Sequence, residues 1–411
     1  MEHPKTVTSF SESVSLLWTK RFGTFWVGSL LSNLGMWMQE VAEPWLVLSL
    51  SGSPVLLGLD AFAMDAPTWV LTVFGGYLAD HADRRRVIFT FQAIQMLCPL
   101  ILVILMLTGW VQVWMVILLT FIVGITDALS MPAFAASVPM MVKSDQIGRA
   151  ITLNSTQFNI SRVLGPVIAG LVMVHYGAIG CFTVNTLSYL PFLAVILWVI
   201  PKTKRPKEVA PRILGSEPWY FELRNISRAP VLRGGLVTIG LVSLLCGPII
   251  VFAPVLVKEI LHSDVSHFGA LLSAFGVGGL AGAFIVLGID RRIPRRKIGS
   301  YSAILFGAAV IAASFMHSFA GLSAVLVLAG AALTMTNTSV NSILQGSVRD
   351  EIRGQTASLY MLAMRGGLSL GSLLTGFSVH FFGISHALLL NGILAVIAQL
   401  WMYRIWGSKT S

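Results

Sequence analysis

GGYLADHADRRR, Gly75 to Arg86, stands between two long apolar runs. It crowds two aspartates and three arginines into one short turn of a chain that is 55% hydrophobic and only 11% charged. A soluble globular protein carries about 25% charged residues. With a mean hydropathy of +0.80, the chain is read as a membrane protein and the turn as a polar link between two crossings. Working outward from it, twelve stretches reach the roughly 20 apolar residues that a bilayer requires. They lie near 22–48, 55–79, 87–108, 112–136, 151–174, 178–200, 231–257, 267–289, 297–317, 321–345, 356–379 and 384–406. The runs are continuous rather than about ten residues of alternating polarity, so they are helices and not barrel strands. The fold class is therefore all-α membrane, with twelve transmembrane helices.

Orientation follows from charge. Of the 28 Lys and Arg residues, Lys258 alone falls in an odd-numbered connection, and Arg162 and Arg365 fall within spans. All the others lie at the N-terminus, in the even connections or in the tail, which places both termini and the opening turn in the cytoplasm. The net charge of +10 is thus a topology signal and not a nucleic-acid one. The first residues, up to Lys20, lack a signal-peptide cleavage pattern and read as a short amphipathic helix on the membrane surface, with Phe10, Val14 and Leu17 on one side.

The chain repeats itself. At a constant offset of 206, Asp145 pairs with Glu351, Gly148 with Gly354, Gly165 with Gly371, Gly170 with Gly376, Gly177 with Gly383 and Asn185 with Asn391. Gly76 pairs with Gly282, and Arg85 and Arg86 with Arg291 and Arg292, while Pro44 and Pro254 match at 210. Two six-helix halves in the same orientation are the parallel repeats of secondary transporters. The expected organisation is a cytoplasmic segment 1–21, a first half 22–200, a cytoplasmic linker 201–230, a second half 231–406 and a tail 407–411.

The opening turn resembles the cytoplasmic signature of the major facilitator superfamily, a Gly-x-Leu-Ala-Asp core followed by basic residues. Gly76, Leu78, Ala79, Asp80, Arg84, Arg85 and Arg86 match; Asp83 stands where many members have a second glycine. That replacement, with ALSMPAFAASVPMMV from Ala128, LNSTQFNISRVLGPVIAG from Leu153 and SILQGSVRDEIRG from Ser342, resembles the branch of enterobactin exporters and macrolide and multidrug efflux proteins. The resemblance implies that Asp80 docks on the start of the eleventh helix near Gly354 to Thr356, gating the cytoplasmic face. It also implies an antiporter-type Gly-Pro motif at Gly165, Pro166 and Gly170, with Ala169 in place of one glycine. A plain packing seam explains those glycines equally well. Many drug-efflux relatives carry an arginine near the position of Thr120, so the family's coupling scheme does not transfer intact.

Intramembrane ionisable groups are functional candidates by default. Arg162 lies about 18 Å into its helix at 1.5 Å per residue, at the depth of Asp127, which is named as its partner. In SNLGMWMQEVAEPWL, Asn33, Trp37 and Glu40, with Met36, Gln39 and Glu43, form a polar-aromatic stripe. Asp60 and Asp65 sit on different faces of the second helix. Glu43 and Asp127 lead the proton-carrier candidates, followed by Glu40, Asp60 and Asp65. Arg365 is expected to meet Asp65 across the seam between halves or to bind an anionic substrate. Asn337, Asn341 and Gln345 form a polar ladder on the tenth helix. The cavity candidates are thus Asn33, Trp37, Gln39, Arg162, Asn337, Asn341 and Arg365.

Three cysteines within apolar runs, and six of the eight histidines at outer helix ends, give no metal-ligand spacing, and neither metal nor cofactor is expected. GVGGLAG from Gly276 lies inside a span and follows no strand, and there is no ATP-binding loop. The chain is expected to be no enzyme but a bacterial inner-membrane secondary transporter. It would export a small amphipathic molecule (a siderophore, macrolide or drug-like compound) against protons. The partners expected are substrate, protons, lipid and a periplasmic or outer-membrane export component, with the transporter a monomer that binds no nucleic acid. An importer of a siderophore or nutrient is the alternative, and a non-transporting sensor the third reading.

Overall fold

The computed structural model describes residues 15–201, 230–290, 293–348 and 353–407. Most of the N-terminal segment, the linker 202–229, Arg291, Arg292, residues 349–352 and the end of the tail lie outside them. Among the described residues there are helices and no strands. Nine helical stretches there are long and apolar enough to cross a bilayer. Two of these, Ser144–Val199 and Ser358–Ile405, each contain two helices. Asn33, Gln39, Glu40 and Glu43 make Phe22–Ser51 too polar to be one of the nine.

The helices are α1 (Phe22–Ser51), α2 (Pro54–His81), α3 (Arg84–Leu107), α4 (Val113–Ser137), α5 (147–176) and α6 (178–199). The second set begins with α7 (Pro230–Leu245 and its continuation) and α8 (Val265–Gly288). It continues with α9 (Arg295–Ser314), α10 (Phe319–Gly346), α11 (353–382) and α12 (384–402). No loop separates α5 from α6. Gly177, at φ 63° and ψ −168°, turns the chain back within one residue, so that Cys181 Sγ comes within 3.7 Å of the Ala169 carbonyl. Gly383, at φ 77° and ψ 163°, does the same between α11 and α12, where Asn391 Nδ2 donates to Thr375 Oγ1 at 2.8 Å. A side chain at such φ is strained, which explains glycine at both places.

α7 departs from the continuous helix expected over 231–257. After Leu245 it proceeds through the short turns Pro248–Val251 and Ala253–Val255 and a π-helical turn Leu256–Ile260. Pro248 and Pro254 lack the N–H that a helix interior needs. Pro44, at the matching place in α1, lies inside an unbroken helix.

Within the first set α2 packs on α4, α1 on the α5–α6 pair, and α3 on α4 and that pair. In the second, α8 packs on α10, α7 on the α11–α12 pair, and α9 on α10 and that pair. The equivalence reaches single residues. Gly124 of α4 sits against the Met64 carbonyl of α2, and Gly330 of α10 against the Phe275 carbonyl of α8. The missing side chain lets each helix pair close to backbone contact.

The halves meet through α2 with the α11–α12 pair and through α8 with the α5–α6 pair. A Cβ on Gly376 would lie 2.8 Å from the Pro54 carbonyl, and one on Gly269 would lie 2.6 Å from the Cα of Gly170. Both contacts are at the end of the bundle opposite Arg84–Arg86 and Arg295–Lys297, which we call the far end, the other being the basic end.

Candidate functional site

The basic turn is built from local rules. α2 ends at His81, and Asp83 caps α3 by accepting from the Arg85 backbone N–H at 3.1 Å, as a short acidic side chain does at a helix start. Arg84 turns back: its Nε donates to the Ala79 carbonyl at 3.0 Å and its Nη1 lies 3.5 Å from Met140 Sδ. In the second half Arg295 Nη1 donates to the Val286 carbonyl at 3.0 Å. In both cases the first residue of the third helix reaches the carbonyl two residues before the end of the second. The structural counterpart of Arg84 is therefore Arg295. The offset that pairs Arg85 and Arg86 with Arg291 and Arg292 passes over it, because the second turn is longer. The docking assigned to Asp80 near Gly354 falls on side chains outside the described residues, as does the offset partner of Arg86.

Midway through the bundle the charges pair differently from expectation. Asp127 is not the partner of Arg162. It accepts from Arg365 Nη1 at 2.8 Å, and the same nitrogen lies 3.5 Å from Asp65 Oδ1. Asp127 (α4) and Asp65 (α2) come from the first half and Arg365 (α11) from the second, so one guanidinium ties two carboxylates across the seam. The side chains of Arg365 and Asp127 are each 27% exposed and that of Asp65 13%, so the cluster borders open space inside the bundle. Alongside it, Ser369 donates to the Phe62 carbonyl at 3.3 Å, again between α11 and α2.

Nearer the far end lies a second cluster, wholly within the first half. Thr120 Oγ1 donates to Glu43 Oε1 at 2.6 Å and Gln39 Nε2 to Glu43 Oε2 at 2.7 Å; Asn185 Nδ2 donates to Gln39 Oε1 at 2.6 Å. Asp60, buried at 4% exposure, lies in the same region of the first half, and its Oδ1 is without a hydrogen-bond partner among the described residues. Gln39 is thus a link between α1, α6 and Glu43. The hydroxyl of Thr120 ties α4 to the Glu43 carboxyl of α1. Thr120 and Asn185 are the residues that sequence reasoning passed over as site members, and a polar residue in an apolar run was the available signal for both.

Asn33 donates to Gln157 Oε1 at 3.2 Å, and Gln157 Nε2 to Ser29 Oγ at 3.0 Å, so Asn33 joins α1 to α5. Arg162 lies over the indole of Trp37, 5.8 Å from the ring centroid, and Trp37 meets Phe158 edge to face at 5.7 Å. Gly165 lies where a Cβ would collide with that of Trp37, and Gly170 adjoins Gly269 of the other half. The helix-five glycines, with Pro166 between them, therefore form a packing seam on both flanks. Asn337 and Asn341 are half-buried on α10, and the Asn337 carbonyl accepts from the Tyr360 hydroxyl at 3.5 Å.

At the far end Lys258, the single basic residue of the odd connections, closes over the first half. Its Nζ donates to Ser49 Oγ at 2.9 Å and lies 4.9 Å from the centroid of Trp45. The Trp45 ring also stacks on Phe268 of α8 at 5.7 Å and 21°.

Comparison with known proteins agrees with this architecture. The model of a family described as transmembrane secretion effector matches residues 11–409. The chain is 25% identical over 387 residues to the staphyloferrin A transporter of Staphylococcus aureus, covering 93% of this chain and 95% of that one. It is 21% identical to macrolide efflux protein A of Streptococcus pyogenes, covering 92% and 94%. Among solved structures, a bacterial homologue of the human lysosomal transporter Spinster, in an inward-facing and unoccupied conformation, superimposes with a TM-score of 0.73. It shares 15% identity and 97% coverage of both chains. A match along nearly the whole chain, on two packed six-helix sets, makes this protein a member of the transmembrane secretion effector family of major facilitator superfamily transporters.

Proposed function

We propose that the protein exports a small amphipathic molecule (a siderophore, macrolide or drug-like compound) from the cytoplasm of a bacterium in exchange for protons. The observation that carries this reading is Arg365 bridging Asp65 and Asp127 from the opposite half. In alternating access the halves rock about a central site. A cation on one half held by carboxylates on the other resists that motion while both carboxylates are ionised. A proton arriving at Asp65 or Asp127 weakens the tie, and its departure restores it, so proton occupancy and the orientation of the halves are linked. Glu43 and Asp60, nearer the far end, form the station at which a proton from outside is first held; Glu40 lies between the stations.

The geometry supports a state closed at the far end. Gly170 against Gly269, Gly376 against Pro54, and Lys258 on Trp45 and Ser49 hold that end shut. The basic end faces the cytoplasm by its charge, with both termini there, in the inner membrane. There the Asp80 turn re-forms or releases as the halves rock. The names of the two relatives, one a siderophore transporter and one a macrolide efflux protein, support the substrate range. The fold works as a monomer of two halves, with lipid around it and an export partner beyond the membrane where the substrate must cross a second one.

The test is flux in everted membrane vesicles with a radiolabelled macrolide and a radiolabelled carboxylate siderophore as probes. Acidifying the lumen should drive uptake of at least one probe, and a protonophore should abolish it. Uptake indifferent to the protonophore, or flux only in right-side-out vesicles, would refute proton-coupled export.

A further inference from the structure

We propose that Glu40, Trp37 and Arg162 form a binding subsite for a zwitterionic amphiphile, one anionic and one cationic group carried on a single apolar body. The proposal deepens the transport reading and rests on it for the existence of a central ligand site.

Most ionisable groups inside the bundle are matched. Arg365 has Asp65 and Asp127, and Glu43 has Thr120 and Gln39. Arg162 and Glu40 differ. Among the described residues neither makes a hydrogen bond or an ion pair, and the close partner of Arg162 is the face of Trp37. A guanidinium presents five N–H donors, and leaving them unanswered at mid-membrane depth is costly. Glu40 is exposed although its neighbours in electrostatic range are Asp65, Glu43, Arg365 and Arg162, all interior groups. A carboxylate both exposed and surrounded by the interior lines an internal space. Opposite charges within electrostatic range of each other, but beyond the reach of an ion pair, leave room for a molecule between them.

The floor of that space is fixed. Trp37 and Glu40, three residues apart, share one face of α1 about 4.5 Å apart along the axis. Trp37 meets Phe158 edge to face, and its Cβ is seated against Gly165, where any side chain would push it away. Phe158 is 39% exposed and extends the apolar surface. An anion at the guanidinium, a cation at Glu40 and an apolar body along the indole meet both of these charged groups at once. A singly charged ligand meets only one of them.

The test uses full-length protein in nanodiscs without any gradient, so it reads binding and is independent of proton coupling. The probes are norfloxacin, which carries a carboxylate and an ammonium, its ethyl ester (cation only) and its N-acetyl derivative (anion only). Wild type should bind norfloxacin at least about tenfold more tightly than either derivative. Arg162→Ala should lower norfloxacin to the level of the ester and keep its advantage over the N-acetyl form; Glu40→Gln should do the reverse. If Arg162→Ala is not monodisperse, Arg162→Gln removes the charge at similar length and serves the same comparison. Equal wild-type affinity for the three probes overturns the proposal, as does no saturable norfloxacin binding or an equal weakening of all three by either variant. The last result would show that Arg162 and Glu40 act on packing alone. Failure of proton-driven flux with these selectivities intact would count against the transport reading and leave the subsite standing.

Discussion

Replacing Lys258 with alanine removes the clamp that closes the far end. Its ammonium stands over Trp45 at 4.9 Å and donates to Ser49 at 2.9 Å. A partly solvated cation–π contact contributes about 0.5–1 kcal/mol, and a charged hydrogen bond, discounted for its exposure, about 1 kcal/mol more. Both are lost when α1 and α7 separate, so the deletion penalises only the closed state, by about 1–2 kcal/mol. That is a shift of roughly 5- to 30-fold in the ratio of far-end-open to far-end-closed molecules. Spin labels at Trp110→Cys in the first half and His317→Cys in the second report it, since both native residues are exposed and all three native cysteines are buried. Double electron–electron resonance should show the longer-distance population growing in Lys258→Ala. Trp45→Leu, which removes the ring and its stacking on Phe268, should act in the same direction. An unchanged distance distribution in Lys258→Ala, with the protein monodisperse, would refute the clamp.

Gly269→Ala places a methyl 2.6 Å from the Cα of Gly170. Overpacking at backbone contact should lower stability by about 1–3 kcal/mol, seen as a lower unfolding temperature in detergent. Arg365→Ala leaves Asp65 and Asp127 without their cation. An unpaired buried charge costs 3–5 kcal/mol, and the partial exposure of these groups reduces that to about 1–3 kcal/mol; proton-driven uptake in everted vesicles should disappear, and retained uptake would contradict the seam model. Asp264 caps α8, and hydrogen bonds from Ser266 and then His267 draw its carboxyl down to about 2. Its contribution is full above the ordinary carboxylate value and is lost as pH falls through about 2. At about pH 8 Asp264→Ala should therefore cost about 1 kcal/mol, seen as a lower unfolding temperature, and no loss there would argue against the cap.

Some of this architecture is written in short segments. Apolar runs long enough to cross a bilayer, and the confinement of basic residues to alternate connections, depend only on residues within one span of each other. Water and lipid act on each segment separately, so those features need no knowledge of the neighbours. The glycine pairs show the same thing at 206 residues' separation: Gly177 and Gly383 both have positive φ, a local backbone requirement repeated by duplication. The break in α7 was half visible, since Pro248 and Pro254 announce trouble, but Pro44 shows that a proline need not end a helix. The pairing of charges was legible only as a set of candidates. Arg365 meets Asp65 across 300 positions and Asp127 across 238, and which of several mid-depth groups it takes depends on how each helix is rotated about its axis. That rotation is fixed by glycine contacts such as Gly124 on Met64 and Gly376 on Pro54, summed over many helix pairs. Depth belongs to the sequence because the rise per residue is constant; azimuth belongs to the packed bundle because every neighbour contributes to it.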